Sequence, residues 1–269
     1  MSESAKKSQE RSTVLITGAS VGIGRALAIT FARAGHDLFL VSRDAAALRE
    51  VALVCEREGK VQTYILSANL LCAGTPAEIF DWVQKQGRVI DVLVNNAAFG
   101  LHGAFSATDI EQEVQMVQIQ IEALLRLTKL FIPGMIERKR GRLLNVSSVY
   151  AFAGVPYQAV YGACKAFLFY FSQGLAAEVR DAGVTVTVLC PGTTRTEFRK
   201  RAGIREKSTK AGMSAEAVAD AGYRATMGGD LLRVPGAINK LFVFLIRLLP
   251  VTWVGSLMSR INRVRGVNH

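Results

Sequence analysis

The sequence predicts a doubly wound α/β domain built on one parallel sheet, on three observations. Aliphatic runs such as VLIT, LFLV and VLVN recur between helical stretches, the spacing of strands joined by helical crossovers. A glycine-rich turn, TGASVGIG at 17–24, follows the first run and opens the first helical stretch. At 269 residues, half of them hydrophobic, the chain is long enough to bury a substantial core as one domain.

Each element follows in order. STVLITGAS reads as a buried first strand entering a turn, and VGIGRALAITFARAG as the helix after it. DLFLVSRD and AAALREVALVCEREG form the second strand and helix. VQTYILSANL and RVIDVLVNNAA are further strands, separated by a helix through TPAEIFDWVQKQG. The stretch from Ser106 to Gly141 reads as a long helix, interrupted or ended near Pro133. RLLNVSS is the next strand, AVYGACKAFLFYFSQGLAAEVRDAG the next helix and VTVTVLCPG the next strand. Right-handed crossovers wind these elements into one sheet with helices on both faces. After Pro191 the alternation breaks into a basic loop (RKRAGIREKSTKAG), a helix beginning near Ser214 and an apolar C-terminal stretch.

Charge and cysteine usage narrow the class. The net charge of +11 is uneven: residues 1–198 carry 20 Lys/Arg against 18 Asp/Glu, and residues 199–269 carry 13 against 4. No zinc finger or aromatic-basic RNA motif accompanies it, so no nucleic-acid partner is expected and the surplus reads as a solvated basic surface. Cys55, Cys72, Cys164 and Cys190 include no close pair and no metal spacing, which suits reduced thiols of a cytoplasmic protein. His36, His102 and His269 are too scattered for a metal site. Residues 1–11 are polar and read as a flexible lead-in, neither secretory signal nor anchor. The longest apolar stretch, 241–258, contains Arg247 and Pro250, which argues against an ordinary transmembrane helix.

Two constellations carry chemistry. In the turn after the first strand, Gly18, Gly22 and Gly24 permit a tight bend and let the backbone approach a pyrophosphate, which the following helix N-terminus attracts. Nineteen residues past Gly24 stand Ser42 and Arg43. An acid near this point suits the ribose 2′-hydroxyl of NAD, whereas an arginine suits the 2′-phosphate of NADP, so NADP(H) is favoured over NAD(H) despite Asp44. The second constellation is Ser148, Tyr161 and Lys165. On a helix Tyr161 and Lys165 share one face, and the ammonium is expected to lower the phenol pKa toward working pH. Such a tyrosine exchanges a proton with a carbonyl or alcohol oxygen, and Ser148 at a strand end can hydrogen-bond the same oxygen.

TGASVGIG, Asn95-Asn96-Ala97, Ser148, the YGACK segment and Pro191-Gly192 occur in an order that resembles the short-chain dehydrogenases/reductases, over roughly residues 12–198. The resemblance implies a Rossmann-type fold and an NAD(P)-dependent oxidoreductase. It implies Tyr161 as the acid–base residue, Lys165 as ligand of the nicotinamide ribose, and Ser148 as the group orienting the substrate carbonyl. It places Gly18, Ser20, Ile23 and Gly24 at the pyrophosphate and Asn69, with Leu70 beside it, near the adenine. Asn95 and Ala97 fall to the adenosine side, and Pro191, Gly192, Thr194 and Thr196 to the nicotinamide. The chain departs from the pattern twice: Asn69 stands where the family often has Asp, and Gln120 (or, with a register slip, Gln118) where it has a catalytic Asn. A longer amide at 120 implies an altered proton relay toward Lys165. The resemblance also implies a homodimer or homotetramer.

Val149, Ala153, Val155 and Tyr157 lie between or beside the catalytic positions and are the expected substrate residues. His102 follows a strand end but reads as incidental, and Cys164 as a packing residue. The chain is thus expected to be one NAD(P)-binding domain over 12–269. Its basic and apolar segment 199–269 would pack on the domain itself, cover the substrate pocket, meet a partner subunit or, through 241–265, lie on a membrane surface. The expected activity is carbonyl reduction or alcohol oxidation on a lipophilic substrate such as a fatty-acyl or steroid-like compound. A cofactor-sensing protein without catalysis is the rival, against which the retained trio weighs.

Overall fold

Five consecutive buried residues, TVLIT, make β1 (Thr13–Thr17), and burial on both faces marks it as a central strand of a parallel sheet. The computed structural model describes residues 11–204 and 212–263; nearly all of the lead-in and the middle of the basic loop lie outside them. After β1 come α1 (Gly22–Arg33), β2 (Asp37–Ser42), α2 (Ala45–Gly59), β3 (Thr63–Ser67), α3 (Thr75–Lys85) and β4 (Val92–Asn95). Then follow α4 (Ile110–Val117), α5 (Ala123–Glu137), β5 (Gly141–Val146), α6 (Ala159–Val179) and β6 (Val184–Leu189). The remainder is β7 (Thr194–Arg195), α7 (Phe198–Arg201), β8 (Met213–Ser214), α8 (Ala215–Gly228), β9 (Leu232–Arg233), α9 (Ala237–Leu248) and α10 (Val251–Arg263).

The main sheet runs β3-β2-β1-β4-β5-β6-β9, and every neighbouring pair is parallel. β9 is a strand the sequence pattern does not reveal; its two residues pair with Val188 and Leu189, too few to show a period. Alternation along β1 sends Val14 and Ile16 into one core and Leu15 into the other. The first core is roofed by α1, α2 and α8, the second by α3, α5 and α6. Successive strands run outward from β1 on one side and from β4 on the other. That reversal opens a crevice at the carboxyl ends of β1 and β4, where ligands of such sheets bind.

The expected interruption of the long helix at Pro133 is not where the helix changes. Pro133 lies inside α5, and the break is a π-helical turn at Gln118–Glu122, between α4 and α5. Ser214 caps α8 as expected, its side chain accepting from the Ala217 N–H. Helices α9 and α10 pack back onto the domain through Val243, Ile246, Val254 and Met258, which meet Tyr150, Phe152 and Val155. No described helix is long and apolar enough to cross a membrane.

Candidate active site

A cavity of about 550 Å³ occupies the crevice and joins the glycine turn to the Ser148–Tyr161–Lys165 trio. Its wall holds every expected cofactor-contacting residue except Asn95: Gly18, Ser20, Gly22, Ile23 and Gly24 from the turn, and Ser42 and Arg43 after β2. Asn69, Leu70 and Ala97 follow from the next two strand ends, with Pro191, Gly192, Thr194 and Thr196 after β6. Gly18 has φ +65°, and a Cβ on Gly24 would lie 2.1 Å from the Gly18 carbonyl oxygen, so the turn folds tightly on the start of α1. The first residues of α1, Gly22, Ile23 and Gly24, line the cavity, and a helix N-terminus is where a phosphate is attracted. The residues present therefore fit a dinucleotide.

Asn95 is turned the other way. Its side-chain N–H group donates to Asn145 Oδ1 (2.9 Å) and Thr128 Oγ1 (3.3 Å) inside the domain. Its neighbour Asn96 does the work at the turn, donating to the carbonyls of Thr17 (2.9 Å) and Gly18 (3.2 Å). Adjacent residues leaving a strand point to opposite sides, and the NNA motif does not say which asparagine faces the ligand. At the end of β2, the Ser20 and Ser42 hydroxyls are 2.7 Å apart and tie the glycine turn to the Arg43 segment. Asp44 caps α2, its carboxylate accepting from the Ala47 N–H (3.0 Å), and is not on the cavity wall. Arg43 is exposed and makes no ion pair among the described residues.

Ser148, two residues past β5, caps a single 3₁₀ turn, Tyr161 and Lys165 lie one turn apart on α6, and all three are at most 9% exposed. Lys165 Nζ donates to the Val146 carbonyl (3.0 Å) and stands 5.5 Å from the centre of the Tyr161 ring. The Ser147 hydroxyl donates to the Lys165 carbonyl (2.7 Å), fixing the helix to β5. The expected depression of the tyrosine pKa is not found. Burial raises Tyr161 well above its ordinary value of 10, and the opposing hydrogen bond to Ser148 is the smaller effect. The same burial lowers Lys165 from 10.5 to about 8. The phenol is thus firmly protonated at neutral pH, and the nearby cation is itself weakened. Tyr150 and Phe198 contribute to that burial, their rings lying 6.3 Å and 5.6 Å from Tyr161.

Gln120 does not reach Lys165 with its side chain. It sits in the π-helical turn, 2% exposed, and its Nε2 donates to the Phe99 carbonyl (3.0 Å). Gln118, in the same turn, is more exposed than Gln120. π-Turns add a residue to the helical circuit and cluster at functional sites. Here the turn carries the long amide against the loop after β4, whose Ala97, Ala98 and Phe99 line the cavity. Gln120→Asn shortens the side chain by one methylene and is expected to break the Phe99 bond. The melting temperature should fall by a few degrees, as loss of about 1 kcal/mol implies, and turnover should fall severalfold. An unchanged melting temperature and rate would show that this amide positions nothing.

Of the expected substrate residues, Val149 lines the cavity. Val155 is buried against Ile246, Val254 and Met258, with Ala153 packed on the same cluster, so both support the C-terminal helices rather than the cavity wall. Tyr157, left-handed at φ 66°, stacks on His102 with ring centres 6.1 Å apart. His102 Nε2 is 3.3 Å from the Asn262 carbonyl, a packing contact with α10. Cys164 is buried and burial raises its thiol to about 11, as suits a packing residue. Sequence spacing did not indicate Tyr150, Gln158, Phe198, Ile238, Phe242 and Met258, all on the cavity wall. The last three come from α9 and α10, so the C-terminal segment contributes to the cavity wall.

Known proteins match this architecture. Residues 12–207 match the short chain dehydrogenase family. The chain is 32% identical over 217 residues to the Mus musculus dehydrogenase/reductase SDR family member 7B, covering 77% of this chain and 67% of that protein. It is 33% identical over 192 residues to the very-long-chain 3-oxoacyl-CoA reductase of Anas platyrhynchos, covering 69% of this chain and 61% of that one. A short-chain dehydrogenase from Sphingobium yanoikuyae, solved in complex with NADPH, superposes with a TM-score of 0.79 at 31% identity, covering 96% of this chain and 97% of that chain. With a dinucleotide crevice, a serine–tyrosine–lysine trio on its wall and these relatives, the chain belongs to the short-chain dehydrogenase/reductase family, nucleotide-dependent oxidoreductases that act on hydroxyl and carbonyl groups.

Proposed function

We propose that the protein is an NADPH-dependent reductase of lipophilic ketones or aldehydes, with Tyr161 as proton donor. The observation that carries this reading is that Ser148, Tyr161 and Lys165 share one cavity wall with the glycine turn and Arg43. When bound there, the nicotinamide supplies a hydride to the carbonyl carbon. Ser148 holds the carbonyl oxygen, and the protonated Tyr161 hydroxyl gives its proton to that oxygen as negative charge develops. Lys165 carries a positive charge below about pH 8 and stabilises charge on the phenol oxygen once the proton has left. Gln120 keeps the loop after β4 in place through the Phe99 carbonyl.

Two features support the finer choices. Arg43 reaches the cavity while the neighbouring acid is engaged in capping α2, which leaves a guanidinium for a 2′-phosphate and no carboxylate for a 2′-hydroxyl. Val149, Ile204, Ile238, Phe242 and Met258 give the substrate end an apolar wall, in keeping with a relative that acts on very-long-chain 3-oxoacyl-CoA. Oxidation of NADPH should therefore be fastest with long-chain 3-oxoacyl or steroid ketones, and slow with acetone or glyceraldehyde. The opposite order would overturn the lipophilic assignment. Arg43→Gln removes a charge-assisted pair with the 2′-phosphate, so KM for NADPH should rise roughly 10- to 100-fold. KM for NADH should change little; an equal rise for both cofactors would show that Arg43 does not read the phosphate.

A further inference from the structure

We propose that the α9–α10 pair is a docking surface for an anionic lipid bilayer, lying in the interface rather than crossing it. Each helix has two apolar sides. Inward, Val243, Ile246, Val254 and Met258 are buried against the domain. Outward, Leu241, Phe244 and Leu248 on α9 and Trp253 and Leu257 on α10 are exposed, Trp253 by 67%, and Val251 at the first position of α10 is exposed by 87%. Leu241, Phe244 and Leu248 recur at spacings of three and four, so they line one side of α9. Six large apolar side chains concentrated on two consecutive helices exceed the scattered exposure of an ordinary surface and mark a face that meets something outside the chain.

Charge selects the partner. From Leu231 to His269 the sequence contains no Asp or Glu, and Lys240, Arg247, Arg260 and Arg263 are exposed on these two helices. A second copy related by a two-fold axis would press the same acid-free, cationic face against itself, an arrangement that like charges oppose. A polyanion such as nucleic acid would meet the cations and leave the apolar side chains in water. An anionic bilayer satisfies both: the apolar residues enter the boundary between headgroups and acyl chains, Trp253 sits at headgroup level, and the cations meet lipid phosphates. The helices lie in the plane, because no described helix is long and apolar enough to span. Ile238, Phe242 and Met258 of the same helices wall the cavity, so docking sets the cavity beside the bilayer. Delivery of a membrane-dissolved carbonyl along that route rests on the function proposed above; the docking itself does not.

The test is flotation of the full chain with phosphatidylcholine vesicles, with and without phosphatidylserine, at low and high salt. Each cation near an anionic surface is worth roughly fivefold in binding, so the anionic vesicles should bind at least about tenfold better at low salt, and high salt should erase the difference. The double variant Phe244→Gln/Trp253→Gln should lose at least about tenfold of the vesicle binding. Its NADPH titration and melting temperature should stay as in the parent, because both side chains are on the surface. Equal flotation with neutral and anionic vesicles, no flotation at all, or undiminished flotation of the double variant would each overturn the proposal. So would a change in the oligomeric state of the double variant by size exclusion with no vesicle binding by the parent, which would assign the face to a second copy. A chain that turns over NADPH but does not float refutes the docking alone, and one that floats but never oxidises NADPH refutes the reductase reading alone.

Discussion

Tyr161→Phe is expected to lower reductase turnover by at least ~10³-fold while changing NADPH affinity less than about twofold. General acid catalysis by a positioned side chain is worth roughly 10²–10⁴ in rate, and no other described side chain replaces the phenol. Lys165 is held by the Val146 carbonyl, the buried thiols of Cys164 and Cys190 are raised to about 11 and about 12 respectively, and Tyr150 donates its hydroxyl to Asn262 Oδ1 (3.3 Å). The protein should fold normally, because phenylalanine keeps the ring contacts with Tyr150 and Phe198 and the Ser148 hydroxyl retains the Pro191 carbonyl, 3.5 Å away. The direction of the pKa adds a second readout. Burial raises Tyr161, so the phenol is in its donating form through neutral pH and carbonyl reduction should hold its rate there. Alcohol oxidation requires the phenolate and should climb as pH rises. Stopped-flow NADPH oxidation and fluorescence titration of the Phe variant check the first claim, and retained turnover would remove Tyr161 from the chemistry.

The parts of this site that chemistry ties to short spacings were legible in the sequence. A strand running into glycines and a helix start is a local requirement of phosphate binding, so TGASVGIG located one end of the cavity. The four-residue step from Tyr161 to Lys165 is a local property of α6, and it located the other. The apolar runs mark six of the seven strands for the same reason, while β9 was too short to carry a period. What stayed hidden depends on groups distant in sequence. QIQIE at 118–122 looks like ordinary helix, and its π-turn is met by the Phe99 carbonyl from another element. The raised phenol of Tyr161 depends on burial to which Tyr150 from a 3₁₀ turn and Phe198 from α7 contribute. Met258 reaches the cavity wall from 97 residues beyond Tyr161, with no spacing to announce it.

Lys165→Met is expected to raise stability while abolishing most activity, a combination a purely structural lysine would not give. The side chain is 3% exposed, and burial moves its pKa from 10.5 to about 8. Holding the charge in that site at neutral pH costs roughly 3 kcal/mol. The Val146 carbonyl, its hydrogen-bond partner, loses a bond worth about 1 kcal/mol in the variant. Methionine fills similar volume without charge, so the net gain is on the order of 2 kcal/mol. Its sign follows from linkage: the unfolded lysine binds its proton up to about 10.5 and the folded one only to about 8. The penalty is therefore complete below about pH 8 and relieved as pH rises from about 8 toward 10.5, because across that window the unfolded chain holds more protons. The stability advantage of Lys165→Met over the parent should be largest at pH 6–7 and should shrink through that same window, measured by chemical denaturation at several pH values. Activity moves the other way. Without the cation the departing proton leaves an uncompensated phenolate, and turnover should drop by at least ~10²-fold at pH 7. A variant that is both less stable and fully active would place the lysine charge outside the reaction and show that its burial carries no penalty.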